Sequence, residues 1–176
     1  MKKILLIVLP LLLIVGCSST SFERIVNEYD EFNKIQTIYQ KDNWVLKNNW
    51  EGGEGVGLNL ALIKKDYQEQ LILKFHLSSS KWLFIEENNS FKFLFTDGEI
   101  LTLSPSGPVK TDVLSGGHIK EWGVIKLDNV ILKKLLSKEL KTLRVIGVDY
   151  HRDYSININM VQDNWRKFSE LHYKIN

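Results

Sequence analysis

Asp149-Tyr150-His151-Arg152-Asp153 is the densest set of groups in this sequence that could do chemistry. In an extended segment alternate side chains share a face, so Asp149, His151 and Asp153 would stand together. Two carboxylates and an imidazole are a donor set for a divalent cation, and a metal-assisted hydrolase is the enzyme such a set would serve. The same residues also read as a solvated turn, with Arg152 pairing locally. His118 follows Ser115-Gly116-Gly117 and is a candidate general base beside a glycine loop. No nucleophile motif such as G-x-S-x-G accompanies it. His76 falls on the less apolar side of an alternating segment and reads as surface or edge. His172 lies near an apolar helical stripe and reads as a packing residue.

Two further stretches invite a binding role. Glu51-Gly52-Gly53-Glu54-Gly55-Val56-Gly57 is glycine-rich, but a strand pattern follows it, no P-loop lysine is present, and two glutamates would repel phosphate. It reads as a loop or bulge. Trp44 and Trp50 flank Lys47-Asn48-Asn49. If exposed they form a face for a glycan, a peptide or a partner protein; otherwise they cover one end of a sheet. No cofactor is expected from any of these stretches.

The only cysteine, Cys17, closes a leader. Met1-Lys2-Lys3 precedes an apolar run from Ile4 to Val15 that Pro10 interrupts. Such a run gives about 18 Å of helix, too short for a hydrocarbon core of roughly 30 Å. A basic start, a short apolar middle and a small residue are the parts of a secretory signal. Ile14-Val15-Gly16-Cys17 resembles the lipobox of bacterial lipoproteins. That resemblance implies a diacylglycerol on the Cys17 sulfur, cleavage before it, and a membrane reached through lipid, since more than one acyl chain anchors stably. Ser18 stands where a retention signal would carry aspartate, which favours the outer membrane in a two-membrane cell. The expected organisation is a signal peptide over 1–16, a lipidated Cys17 with a polar tether over 17–21, and one domain over 22–176.

Without the leader the chain has 21 basic and 21 acidic residues. There is no basic excess to attract nucleic acid. A Thr20/Glu23 capping box, then Phe22, Ile25, Val26, Tyr29 and Phe32 at helical spacing, predict an N-terminal helix ending near Asn33. Val56, Leu58, Leu60 and Leu62 alternate, as do Leu71, Leu73, Phe75 and Leu77; these two strands should pair antiparallel across the polar link from Lys64 to Glu69. Asp97-Gly98 predicts a two-residue hairpin that sets Phe95 opposite Ile100, apolar on both sides and therefore covered on both. Ile119 to Leu127 reads as a strand. Asp128 reads as the N-cap of a helix bearing Ile131, Leu132, Leu135 and Leu136. Leu143 to Val148 and Tyr154 to Met160 read as strands, and a last helix opens near Asn159 with Val161, Trp165 and Phe168 inward.

The fold class expected is therefore α+β, a largely antiparallel two-sheet sandwich with an N-terminal helix, an inter-strand helix and a C-terminal helix. From the hairpin onward the element order is similar to that of uncharacterised bacterial surface or secreted proteins, which implies no particular activity. With no catalytic constellation complete, the sequence points to a membrane-anchored, non-enzymatic binding module of the cell envelope. The hydrolase at Asp149, His151 and Asp153 is one alternative. A carrier of an apolar ligand between the sheets is the other.

Overall fold

The computed structural model describes residues 24–47 and 54–173. The leader, Cys17, the Thr20/Glu23 box and Trp50 lie outside them. Eleven strands and two α-helices make up the described residues: β1 Arg24–Asp30, β2 Ile35–Lys41, β3 Trp44–Leu46, β4 Gly55–Lys65, β5 Gln68–Ser79, β6 Phe91–Phe95, β7 Ile100–Leu103, β8 Lys110–Val113, β9 Ile119–Lys126, α1 Asn129–Ser137, β10 Leu140–Ile146, β11 His151–Tyr154 and α2 Ile158–His172. A 3-10 turn, Ser115–Gly117, joins β8 to β9.

Every sheet pairing is antiparallel. The larger sheet runs β1-β2-β4-β5-β9-β8, with β3 continuing the β4 edge beyond β2, and the smaller runs β11-β10-β6-β7. The expected pairing of β4 with β5 is present, with Leu60 opposite Leu73 and Leu58 opposite Phe75. The inward row of β4, Val56, Leu58, Leu60 and Leu62, is fully buried. Phe75 of the larger sheet meets Phe91 of the smaller with ring centroids 4.6 Å apart, so both sheets share one core. Helix α2 wedges into it. Trp165 donates its indole N–H to the Leu58 carbonyl at 3.1 Å and sets its ring edge-on to Phe93.

The N-terminal helix expected from the stripe is instead a strand, so the described chain is mostly antiparallel β with two helices rather than three. Ile25 and Val26 satisfy a helical and an extended pattern alike, and both are β-branched. Pairing decides: β1 matches β2 residue for residue from Arg24↔Lys41 to Asp30↔Ile35. The Asp30 carboxylate accepts from the Phe32 and Asn33 amides and fixes the turn. Phe32, expected inward, is 98% exposed.

Two more expectations are corrected. The Asp97-Gly98 hairpin has a three-residue loop: the Phe95 amide donates to the Glu99 carbonyl, Gly98 sits at φ 87°, and Leu94 faces Ile100. This is the bulged turn that needs positive φ at a single position. Its strand β7 is an edge with Ile100 exposed, so the hairpin is covered on one side only. The strand expected from Tyr154 to Met160 stops at Tyr154; Asn157 turns left-handed at φ 66° and α2 begins. Helix α1 forms as expected, with Asp128 accepting from the Ile131 amide at 2.7 Å.

Strands β2 and β3 share one edge of β4 but are separated by a detour at Gln40–Asn43, where Asp42 has φ 67°. Side chains complete the interrupted ladder. Gln40 Oε1 accepts from the Leu60 amide and from Asn43 Nδ2, and Asn43 Oδ1 accepts from Asn164 Nδ2 of α2 at 2.7 Å. All three amides are almost fully buried. Losing one partner strands the others without water. Asn43→Leu is therefore expected to destabilise the fold by about 2–4 kcal/mol, read as a lower urea midpoint at unchanged slope; a loss under about 0.5 kcal/mol would contradict this role for the network.

Candidate functional site

The outward row of β4 alternates with its core row and reads Gly55, Gly57, Asn59 and Ala61. These residues carry little bulk, so longer side chains from neighbouring strands lie across them. His76 on β5 covers Gly57; a Cβ at Gly57 would come within 2.0 Å of that imidazole. Trp44 on β3 meets the same imidazole edge-on, ring centroids 4.3 Å apart. Next outward from His76 is Trp122 on β9, and opposite Trp122 is Lys110 on β8. One row across five strands is thus tryptophan, glycine, histidine, tryptophan and lysine.

This face holds a hollow of about 430 Å³ lined by Tyr39, Asp42, Lys74, His76, Lys120 and Trp122, among others. The lysines lean on the aromatic rings. Lys74 Nζ lies 4.3 Å from the Tyr39 centroid and Lys110 Nζ 4.7 Å from the Trp122 centroid, with Lys41 and Lys120 farther over the same two rings. A cation over a ring face is attracted by about 0.5–2 kcal/mol and stays free to meet an anion. None of these four lysines takes part in a salt bridge among the described residues. Two nearby carboxylates bond to the aromatic side chains of the hollow itself: Asp112, which also lines it, accepts from the Trp122 indole and Glu28 from the Tyr39 hydroxyl.

Burial and the crowd of cations perturb the titrating groups. Burial pushes the His76 imidazole down to about 4, with Lys120 adding to it and Asp42 opposing. Burial also holds Lys74 below the ordinary lysine value, with Glu28 opposing and Lys41 and Lys120 adding to the shift. The hollow therefore offers lysine side chains, an imidazole that is neutral at pH 7 and aromatic faces. That set binds anions through charge-assisted hydrogen bonds and apolar rings by stacking. No Ser, Thr or Cys is among the described residues that line the hollow.

The residues singled out in sequence fall in different places. Trp44 stands beside the hollow, half-buried, whereas Trp50 lies outside the described residues. His76 was read as surface or edge; β5 is an interior strand and His76 is packed on its neighbour. Asp153 pairs both carboxylate oxygens with Arg144, at 2.7 and 2.8 Å, so a cation there would have to compete with the guanidinium. His151 shares that face of β11, but no group of three His, Cys, Asp or Glu side chains comes together among the described residues. Arg152 points the other way. It is 6% exposed, donates to the Lys81 carbonyl and the Tyr150 hydroxyl, and lies 3.8 Å from Glu54. Burial alone would raise the Glu54 carboxyl, but Arg152 and Lys47 outweigh it and hold it below the usual range. His118 is exposed on the turn entering β9 of the larger sheet, whereas β11 belongs to the smaller. His172 contacts Phe168 with ring centroids 5.1 Å apart, as a packing residue would. Between the sheets, Phe75, Phe91 and Phe93 are buried in the shared core.

Missed in the sequence were Tyr39, Lys74, Lys120 and Trp122 as one site, because three strands, β2, β5 and β9, bring them together. The signal available was the alternation of Gly55, Gly57, Asn59 and Ala61 with large apolar residues.

A depressed imidazole pKa has a direct consequence for stability. The unfolded chain takes up the proton near 6.5 and the folded one only near 4. The folded state binds fewer protons in between, so this contribution is complete above 6.5 and is lost as pH falls to 4. His76→Phe keeps a ring over Gly57 and removes the titration. The wild type is expected to lose up to about 3 kcal/mol relative to this variant across that window, measured by denaturant unfolding at several pH values; a wild-type-to-variant difference that is flat with pH would contradict the burial of His76. Compared with known proteins, the chain matches no family model, no curated protein and no solved structure.

Proposed function

We propose that this protein is a lipid-anchored, non-enzymatic binding module of the cell envelope that takes an anionic glycan in the hollow on the outward face of its larger sheet. The observation that carries the reading is the hollow at Tyr39, Lys74, His76, Lys120 and Trp122: its lysines rest on aromatic rings and form no salt bridge among the described residues. Aromatic faces suit the C–H faces of sugar rings, and ammonium groups suit carboxylates on them. About 430 Å³ falls in the usual range for a ligand site. The envelope location is supported by the leader and by Ile14-Val15-Gly16-Cys17. A non-enzymatic role is supported by the pairing of Asp153 with Arg144, which sets the metal-hydrolase reading at a disadvantage.

The test is calorimetric titration with an oligogalacturonate and with its neutral methyl ester. Binding is expected for the acid alone, weakening at least tenfold between 50 and 500 mM salt as the pairing is screened. The double variant Lys74→Gln, Lys120→Gln removes two charge-assisted bonds of about 1.5 kcal/mol or more each, so affinity should fall at least a hundredfold. Equal binding of the ester, or undiminished binding by the double variant, would contradict the assignment.

A further inference from the structure

Phe84 is the one bulky aromatic residue among the described positions with left-handed backbone. Its φ is 52°; four of the other five non-glycine residues at positive φ are Asn or Asp, and the fifth is Lys34 in a hairpin turn. A large side chain takes that conformation only under constraint, and such outliers gather at functional sites. The constraint is identifiable. Glu121 on β9 is fully buried, and its two carboxylate oxygens accept from the amides on either side of Phe84: Leu83 at 2.8 Å and Ile85 at 3.0 Å. Gly147 lets the same loop dock, since a Cβ there would lie 1.9 Å from the Leu83 carbonyl oxygen.

This machinery places apolar surface in water. Phe84 is 52% exposed and stacks on Trp82, centroids 5.3 Å apart and planes 10° apart. The Val148 amide donates to the Phe84 carbonyl at 3.1 Å, the Tyr150 hydroxyl donates to the Trp82 carbonyl, and both side chains are exposed. Val113 and Leu114, exposed as well, precede the turn into β9 at the same end of the larger sheet. A buried carboxylate and a strained residue that together display an aromatic rim serve a contact rather than the core.

We propose that this rim rests in the interfacial layer of the membrane to which the protein is anchored. The inference rests on the acylation of Cys17 proposed above. Strand direction selects the bilayer as the occupant. β1 is antiparallel to β2 and β2 to β4, so β1 runs parallel to β4. Arg24 therefore points to the end where β4 begins opposite the last residues of β5, and β5 leads into the Trp82–Phe84 loop. Arg24 follows Cys17 by seven residue steps, a reach of at most about 24 Å. That length lets the lipid lie beside the rim, whereas Tyr67 stands at the far end of the strands. Tryptophan and tyrosine favour the headgroup layer because their rings are apolar with one polar atom. The glycan hollow then opens to the side of the anchored domain.

The test uses the full acylated chain in phosphatidylcholine vesicles. Cys17 is the only cysteine and would carry the lipid, so Phe84→Cys and Tyr67→Cys each give one free thiol for a nitroxide. The label at 84 should relax faster with membrane-soluble oxygen than with an aqueous nickel chelate, and the label at 67 should do the reverse. Phe84→Asn, which tolerates the left-handed backbone, should raise the melting midpoint by about 2–4 °C and reduce quenching of tryptophan by brominated lipid. Acylated protein on the vesicles with both labels equally in water overturns this inference and leaves the anchor standing. An unmodified Cys17 in membrane-expressed protein, read by mass spectrometry, overturns the anchor and this inference with it.

Discussion

The site depends on a difference in bulk between the two sides of one strand. The inward side of β4 carries Val56, Leu58, Leu60 and Leu62; the outward side carries Gly55, Gly57, Asn59 and Ala61. Large apolar residues inward give the strand its place at the centre of the core. Small residues outward leave room that neighbours occupy with His76, Lys74 and Tyr39 lying flat against the sheet. A methyl group at Gly57 would meet the imidazole, so the glycine and the histidine are one packing unit. The depressed imidazole pKa and the cation–ring contacts follow from that close approach.

Polar groups buried in the core hold this arrangement in register. Where β2 breaks from β4, Gln40 and Asn43 supply the hydrogen bonds the ladder loses, and Asn164 and Trp165 of α2 close the gap. The break also turns Asp42 outward at the rim of the hollow and lets β3 bring Trp44 to its edge. Gln162 ties the second half of the chain in the same way, donating to the Leu135 and Lys138 carbonyls at the end of α1. Buried amides of this kind stabilise only as complete sets, which favours one arrangement of the elements over its competitors.

Periodicity made much of the fold readable. The apolar rows of β4 and β5 fixed their pairing, and Asp128 marked the start of α1. Where two periods fit, sequence could not choose. Ile25, Val26 and Tyr29 suit a helix or a strand, and the choice came from β2, a partner invisible locally. Tyr154 to Ile158 alternates, yet α2 takes Ile158 because its helical stripe reaches a core already formed by both sheets. The hollow was least legible: Tyr39, Lys74 and Trp122 lie far apart in the chain, and their strands come together only through a non-sequential order. The burial of Glu121 and Arg152 was not legible, because nothing in sequence announces a buried carboxylate or guanidinium.

The central claim is that the aromatic and lysine face, and no other surface, receives an acidic saccharide. Proton–nitrogen NMR of the tryptophan indole groups during addition of oligogalacturonate tests it most directly. The Trp122 indole, bonded to Asp112 beside the hollow, should shift and saturate, while the Trp165 indole, sealed against Leu58, should stay in place. A saturating ligand that leaves Trp122 unmoved, or that moves resonances around Arg144 on the smaller sheet instead, would contradict it.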